Sequence, residues 1–258
     1  MEKLLKTINL KKNFMVKDKY GMVKIINALR GVSFEINKGE TLGIIGESGS
    51  GKTTLGKTVI RLIEPDEGRI IFKDIDITHK KENQLRPLRK KFQIIFQNPY
   101  KSLNPRMTAL EIVMEATDGS KKEKIEKGEY FLNIVGIKKN KFRSFPYQFS
   151  GGERQRIAIA RSLSTEPEFI VCDEPTSNLD LSIQAQILNL FMDLKEKFNL
   201  TYLFISHDLK VIKFVSDRIG VMYKGKIVEI GKTEEIIKNP ENPYVRELFE
   251  IEKKQFSI

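Results

Sequence analysis

The stretch Gly46-Glu47-Ser48-Gly49-Ser50-Gly51-Lys52-Thr53 constrains the fold of this chain more than any other. It fits the pattern G-x-x-x-x-G-K-[ST]. An apolar run, Thr41-Leu42-Gly43-Ile44-Ile45, precedes it, and a helical pattern follows from Thr53 to about Leu62, stopped by Pro65. A strand that enters a glycine-rich loop and leaves as a helix is the context this motif requires, and it implies an α/β core. The glycines let backbone N–H groups wrap phosphates, and the helix N-terminus adds positive potential. Lys52 is then placed to reach the β- and γ-phosphates of a nucleotide, and Thr53 to set its hydroxyl on Mg2+. With Thr54 beside them, the loop residues Gly46 to Thr53 are candidate nucleotide ligands.

A second apolar run, Phe169-Ile170-Val171-Cys172, ends in Asp173-Glu174. Such a strand delivers two carboxylates to one edge of a sheet, where ligands of α/β proteins bind. Asp173 is the candidate for holding Mg2+ through water, and Glu174 for the base that polarises the attacking water. Gln97 and His207 close two further apolar runs, Phe92–Phe96 and Leu203–Ile205. Strand ends on the same edge aim both at the γ-phosphate, Gln97 at Mg2+ or the attacking water and His207 as a donor. Cys172 reads as a core residue and His79 as a surface loop residue.

The rest of the chain organises around these strands. Phe34 and Ile36 alternate with Glu35 and Asn37, and Arg69–Phe72 is a further short strand. Between Asn98 and Leu163 the pattern turns helical. Thr108-Ala109-Leu110-Glu111 is a capping box, and Tyr130, Phe131, Ile134 and Val135 recur at helical spacing. Asp180 is a candidate N-cap for a helix with Ile183, Ile187, Leu190 and Leu194 on one face. Lys224-Gly225 is a hairpin turn between Val221–Tyr223 and Lys226–Ile230. A short helix around Thr233–Ile237 precedes Pro240 and Pro243. No repeat or low-complexity linker separates these parts.

Composition narrows the function classes. One cysteine in 258 residues excludes a disulfide framework and a four-cysteine metal site. The N-terminus lacks the apolar region of a signal peptide, and no window approaches the roughly 18 apolar residues of a membrane span. The chain is therefore expected in the cytoplasm, with any membrane role supplied by a partner. Its net charge of +11 comes from scattered lysines. Without an aromatic-plus-arginine stripe they read as a solvated surface, and no nucleic-acid partner is expected.

Phe149-Ser150-Gly151-Gly152-Glu153 completes an ordered set of motifs. With the phosphate loop, Phe96-Gln97-Asn98-Pro99, Ile170–Pro175, Ser177-Asn178-Leu179-Asp180 and Ile205–Asp208, the chain resembles the ATP-binding subunit of an ABC transporter over nearly its whole length. The resemblance implies a RecA-like P-loop NTPase core with an antiparallel β lobe and an inserted α-helical lobe. Residues 1–97 and 164–230 would form the core with the β lobe, 98–163 the helical lobe, and 231–258 a short C-terminal tail. It implies two subunits facing head to tail around two ATP molecules, with Ser150, Gly151 and Gly152 touching the γ-phosphate bound to the opposite subunit. It also implies membrane-spanning permease subunits, a second ABC ATPase subunit (a related chain or a second copy of this one), an indirect substrate-binding protein outside the membrane, and a location on its cytoplasmic face. Phe14 best matches the family's adenine-stacking position, with Tyr20 as the alternative.

Three residues in two motifs depart from the family pattern. Phe149 and Glu153 stand where Leu and Gln are usual, and Asn178 replaces a small alanine. Phe96–Arg106, Ala28–Phe34, Gly43–Gly49 and the C-terminal Asn239–Tyr244 resemble the oligopeptide and dipeptide importer branch, whose paired ATPases favour a heterodimer. Nickel and metallophore importers of that branch look much the same and remain an alternative. The tail is short, and one cysteine cannot supply the cluster that some relatives carry there. A soluble ABC ATPase acting on nucleic acid or ribosomes would usually carry a long coiled-coil insertion or two ATPase units, and neither is found.

Overall fold

The computed structural model describes residues 2–17 and 21–255. In chain order the elements begin with β1 (Lys3–Lys17), β2 (Val23–Asn37), β3 (Thr41–Ile45), α1 (Lys52–Val59), β4 (Glu67–Phe72), β5 (Ile75–Asp76) and α2 (Glu82–Leu85). Next come β6 (Phe92–Ile95), α3 (Pro99–Ser102), α4 (Ala109–Glu115), α5 (Lys121–Ile134), α6 (Gly151–Leu163), β7 (Phe169–Asp173) and α7 (Leu181–Phe198). The chain ends with β8 (Thr201–Ile205), α8 (Leu209–Val215), β9 (Arg218–Tyr223), β10 (Lys226–Lys232), α9 (Thr233–Lys238) and α10 (Pro243–Gln255). These elements form two units, one of Met1–Leu85 with Thr201–Ile258 and one of Arg86–Leu200.

In the first unit, β1 and β2 form a long antiparallel ribbon within a sheet ordered β2-β1-β4-β5. On β2 the buried residues Val32, Phe34 and Ile36 alternate with more exposed ones, the period-2 pattern of a half-covered sheet. The unit's other strands run β10-β9-β3-β8. Strand β3 pairs in parallel with β8 and β9, while β9 and β10 pair antiparallel through the Lys224-Gly225 turn. All five residues of β3 and all five of β8 are buried. Burial on both faces is why these strands read as continuous apolar runs.

Two elements of this unit differ from the sequence reading. Helix α1 ends at Val59 rather than near Leu62, where Arg61 enters the left-handed region at φ 57°. The C-terminal residues after Pro240 form helix α10 rather than a simple tail. Pro243 opens that helix, a position where a missing N–H costs nothing. Its Val245 and Phe249 are fully buried.

In the second unit β6 and β7 pair in parallel, Phe92 opposite Phe169 and Ile95 opposite Cys172. Burial pushes the Cys172 thiol well above its ordinary pKa, and the Asp173 charge adds to this. Cys172 is thus an inert core residue. Helix α6 packs against α3, α4, α5 and α7. Capping fixes where these helices start. Thr108 closes a capping box with Glu111 on α4, and Ser120 closes another with Glu123 on α5. Asp180 accepts the Ile183 N–H at 3.0 Å to cap α7, whose Ile187, Leu190, Phe191 and Leu194 are buried. Among the described residues no helix is long and apolar enough to cross a membrane.

Because Phe249 fills a buried site on α10, Phe249→Ala is expected to destabilise the chain by about 3–5 kcal/mol. Ile251→Ala, at a half-exposed site of the same helix, should stay within about 0.5 kcal/mol. Urea unfolding of both variants checks this, and equal effects would refute the docking of α10.

Candidate functional site

The phosphate loop leaves β3 and enters α1 with geometry that depends on Gly51. This residue caps α1 at φ 105°, and a Cβ there would lie 2.4 Å from the Ala28 carbonyl oxygen. Only glycine fits both conditions. Lys52 is buried, and its ammonium donates to the Gly46 and Glu47 carbonyls at 2.6 and 2.8 Å. The Ser50 hydroxyl is buried without a hydrogen-bond partner. A buried cation, an orphaned hydroxyl and a helix start together fit a phosphate-bearing ligand. Thr53 and Thr54 follow on the first turn of α1, Thr53 exposed and Thr54 half-buried.

His207 follows β8, the parallel neighbour of β3, so both strands deliver their candidate residues from the same sheet edge. It is exposed. The next residue, Asp208, caps α8 by accepting the Lys210 N–H at 2.7 Å. Phe14 lies half-buried on β1, with the Lys12 ammonium 5.7 Å from its ring centroid. Tyr20 lies outside the described residues.

The second unit repeats this arrangement with a different pair of strands. Gln97 follows β6, and Asp173 and Glu174 end its parallel neighbour β7. Asp173 is buried. Glu174 adopts a left-handed φ of 48°, a strained turn for a side chain with a Cβ. That turn lets the strand stop and present the carboxylate. Gln97 Nε2 donates to Glu174 Oε2 at 3.1 Å and lies 3.2 Å from Ser177 Oγ. Asn178 Nδ2 donates to the Gln97 carbonyl at 3.2 Å. The unusual Asn178 therefore has a definite role within its own chain. It ties the loop after β6 to the loop after β7.

Ser150 is the N-cap of α6. Its hydroxyl accepts the Glu153 N–H at 3.3 Å, and Glu153 Oε2 accepts the Ser150 N–H at 3.0 Å. Gly152 is needed for packing, because a Cβ there would lie 2.4 Å from Ile183 Cγ2 on α7. The Glu153 charge is balanced locally. Lys141 donates to Glu153 Oε1 at 2.6 Å, and the same ammonium lies 5.6 Å from the Phe149 ring centroid. Partial burial works to raise the Glu153 pKa, but Lys141 and the Ser150 N–H outweigh it and hold the carboxyl below the usual range. Phe149 and Glu153 thus share one cation. Lys141 carries no motif in the sequence, so this partnership was not legible there. Ser177 belongs to a motif read from the sequence, but its contact with Gln97 was not legible there, since it depends on the turn at Glu174.

The structure thus brings the loop residues 46–54, His207 and Phe14 into the first unit. It brings Gln97, Asp173, Glu174 and Ser150–Gly152 into the second. Among the described residues no group of three or more His, Cys, Asp or Glu side chains forms a metal cage. The candidate donors are the Thr53 hydroxyl in the first unit and the Gln97 amide and Asp173 carboxylate in the second. These are oxygen donors of the kind Mg2+ takes when substrate phosphates and water complete its shell.

Comparison with known proteins fits this geometry. A family model described as ABC transporter matches residues 29–177. The chain is 47% identical over 253 residues to the oligopeptide transport ATP-binding protein OppF of Bacillus subtilis (strain 168), covering 96% of this chain and 81% of that protein. It is 48% identical over 254 residues to AppF of the same strain, an oligopeptide transport ATP-binding protein, covering 96% and 77%. Among solved structures, the dimeric post-hydrolysis state of the ATP-binding cassette MJ0796 bound to ADP and Pi matches with a TM-score of 0.78 at 29% identity, covering 89% of this chain and 99% of that one.

The Lys141 pair gives Glu153 a folded-state pKa below its unfolded value. Its contribution is therefore full above the ordinary carboxylate range and is lost as pH falls through the depressed value. Glu153→Gln keeps an acceptor for the Ser150 N–H but removes the ion pair. It should cost about 0.5 kcal/mol near neutral pH and progressively less as the pH falls through the depressed value, measured as the difference in urea stability from the parent chain. A difference that does not change with pH would exclude the ion pair as its source.

Proposed function

The chain belongs to the ABC transporter family as an ATP-binding, ATP-hydrolysing subunit, and on that premise we propose that it powers an importer of oligopeptides or dipeptides. The observation that carries the cargo class is identity of 47–48% over 96% of the chain to oligopeptide transport ATP-binding proteins. Its partners in this reading are membrane-spanning permease subunits, a second ABC ATPase subunit of related sequence, and indirectly an external peptide-binding protein. It acts from the cytoplasmic face of the membrane.

ATP is the substrate. The loop from Gly46 to Thr54 takes its phosphates, Lys52 neutralises the β- and γ-oxygens, and Phe14 stacks on adenine. Mg2+, held by Thr53, Gln97 and Asp173, would spread the charge that develops on the transferred phosphoryl group. Glu174 accepts a proton from the attacking water, and His207 donates to the γ-phosphate. Ser150, Gly151 and Gly152 meet the γ-phosphate held by the partner subunit, using the N-terminus of α6.

This arrangement converts hydrolysis into motion. A γ-phosphate gripped by Lys52 on one subunit and by the Ser150 segment on the other favours the closed pair, because only that state makes both sets of contacts. Cleavage removes the shared charge and the pair loosens. The Gln97 loop, bonded to Glu174, Ser177 and Asn178, passes the change to the helices that follow it.

Glu174→Gln in the purified transporter should leave ATP binding intact and slow turnover by about 10²–10⁴-fold, read by phosphate release. Near-normal turnover would remove Glu174 from the role of base. In vesicles holding the complete transporter, ATP turnover should rise with added oligopeptides and not with nickel. Stimulation by nickel alone would overturn the peptide assignment.

A further inference from the structure

Glu47, the second residue of the phosphate loop, is approached from the C-terminal helix of its own unit. Tyr244 lies near the start of α10, and its ring packs on that of Tyr223 at the end of β9, with centroids 4.0 Å apart and planes 33° apart. The chain leading into α10 is pinned. The Glu229 carboxylate accepts the N–H groups of Glu241 and Asn242 at 3.0 and 2.9 Å. Asn242 Oδ1 accepts the Tyr244 N–H at 3.0 Å, and Arg246 Nε donates to the Pro240 carbonyl at 2.7 Å. Buried Val245 and Phe249 fix the helix itself. The turn after Tyr223 is tied directly to the loop, since the Gly225 N–H donates to the Ser50 carbonyl at 2.9 Å.

Within this rigid frame the Tyr244 hydroxyl stands out. It is buried and has no hydrogen-bond partner, although buried polar groups are nearly always satisfied. Burial, with the neighbouring Glu47 carboxylate adding to it, pushes its pKa up to about 12. The hydroxyl therefore remains a donor throughout the physiological range. The Glu47 carboxylate and backbone are its neighbours, with no well-formed hydrogen bond to either. Glu47 is exposed and belongs to a loop that must adjust around phosphates. A small shift of that residue completes the bond.

We propose that Tyr244 is a positioning residue for the phosphate loop, its hydroxyl donating to the Glu47 carboxylate when the loop holds nucleotide, so that the C-terminal helix sets nucleotide affinity. The proposal rests on reading Gly46–Thr53 as the ATP phosphate site. Tyr244 touches no reacting atom and acts through Glu47. It should change how tightly ATP is held, not how fast bound ATP is cleaved.

The test is calorimetric titration of the full chain with ATP. Tyr244→Phe keeps the ring stack and removes only the hydroxyl. It should weaken ATP binding about tenfold, the size of one hydrogen bond to a charged acceptor. In the assembled transporter it should raise the ATP KM with kcat unchanged. The melting temperature of the nucleotide-free chain should not fall, because the hydroxyl makes no bond there. In a Glu47→Ala background Tyr244→Phe should have no further effect. Wild-type affinity in Tyr244→Phe, or a tenfold loss that persists in Glu47→Ala, would overturn the proposal. Lys52→Ala is the control for the underlying reading. If Lys52→Ala loses ATP while Tyr244→Phe binds normally, the Tyr244 proposal alone fails. If Lys52→Ala binds ATP as tightly as the parent chain, the phosphate-site reading fails.

Discussion

A triphosphate concentrates negative charge that only well-ordered donors can meet, and in the function proposed above the first turns of α1 and α6 supply them. Each helix start is fixed by a different device. Gly51 in a left-handed conformation starts α1, and the Ser150–Glu153 capping box starts α6. Buried parallel strands aim the remaining polar residues. His207 follows β8 beside β3, and Gln97 follows β6 beside the strand that ends in Asp173 and Glu174. The chemistry we assign to these residues depends on strand ends and helix starts staying in place, and the buried apolar runs keep them there.

Much of this was legible in the sequence because the signals are local. Five-residue apolar strands, a glycine-rich loop and a Thr-x-x-Glu box each fix structure over a few residues. The α/β fold with a helical lobe followed from their order, and the family relationship agrees. What was not legible depends on contacts between distant positions or on a turn whose effect is ambiguous. Pro240 and Pro243 read only as residues after a short helix, yet Pro243 opens α10, since proline is tolerated in a first helical turn. Ser120 caps α5 in a stretch where the lysines dominated the reading. Phe14 was chosen by its place in the first strand, and the structure adds a Lys12 ammonium near its ring.

The departures from the family pattern acquire physical explanations. Glu153 puts a carboxylate where glutamine is usual. Its pairing with Lys141, itself near the Phe149 ring, neutralises that charge and leaves the capping role that a glutamine would also fill. Asn178 stands where a small alanine is usual. Its observed partner is the Gln97 carbonyl of its own chain, so it stiffens the loop that also holds Gln97 Nε2 against Glu174. In both cases the departing residue bears on how a candidate site segment is held.

The central claim is that Ser150–Gly152 of this chain serves the ATP bound to the facing subunit. Trapping a photoreactive ATP analogue with vanadate in the complete transporter tests it, once Gly151→Asp is placed in this chain and the labelled subunit is identified. The account predicts that trapped nucleotide disappears from the partner subunit while this chain's own loop still binds nucleotide. Loss of label from this chain, with the partner's site still trapping nucleotide normally, would contradict it.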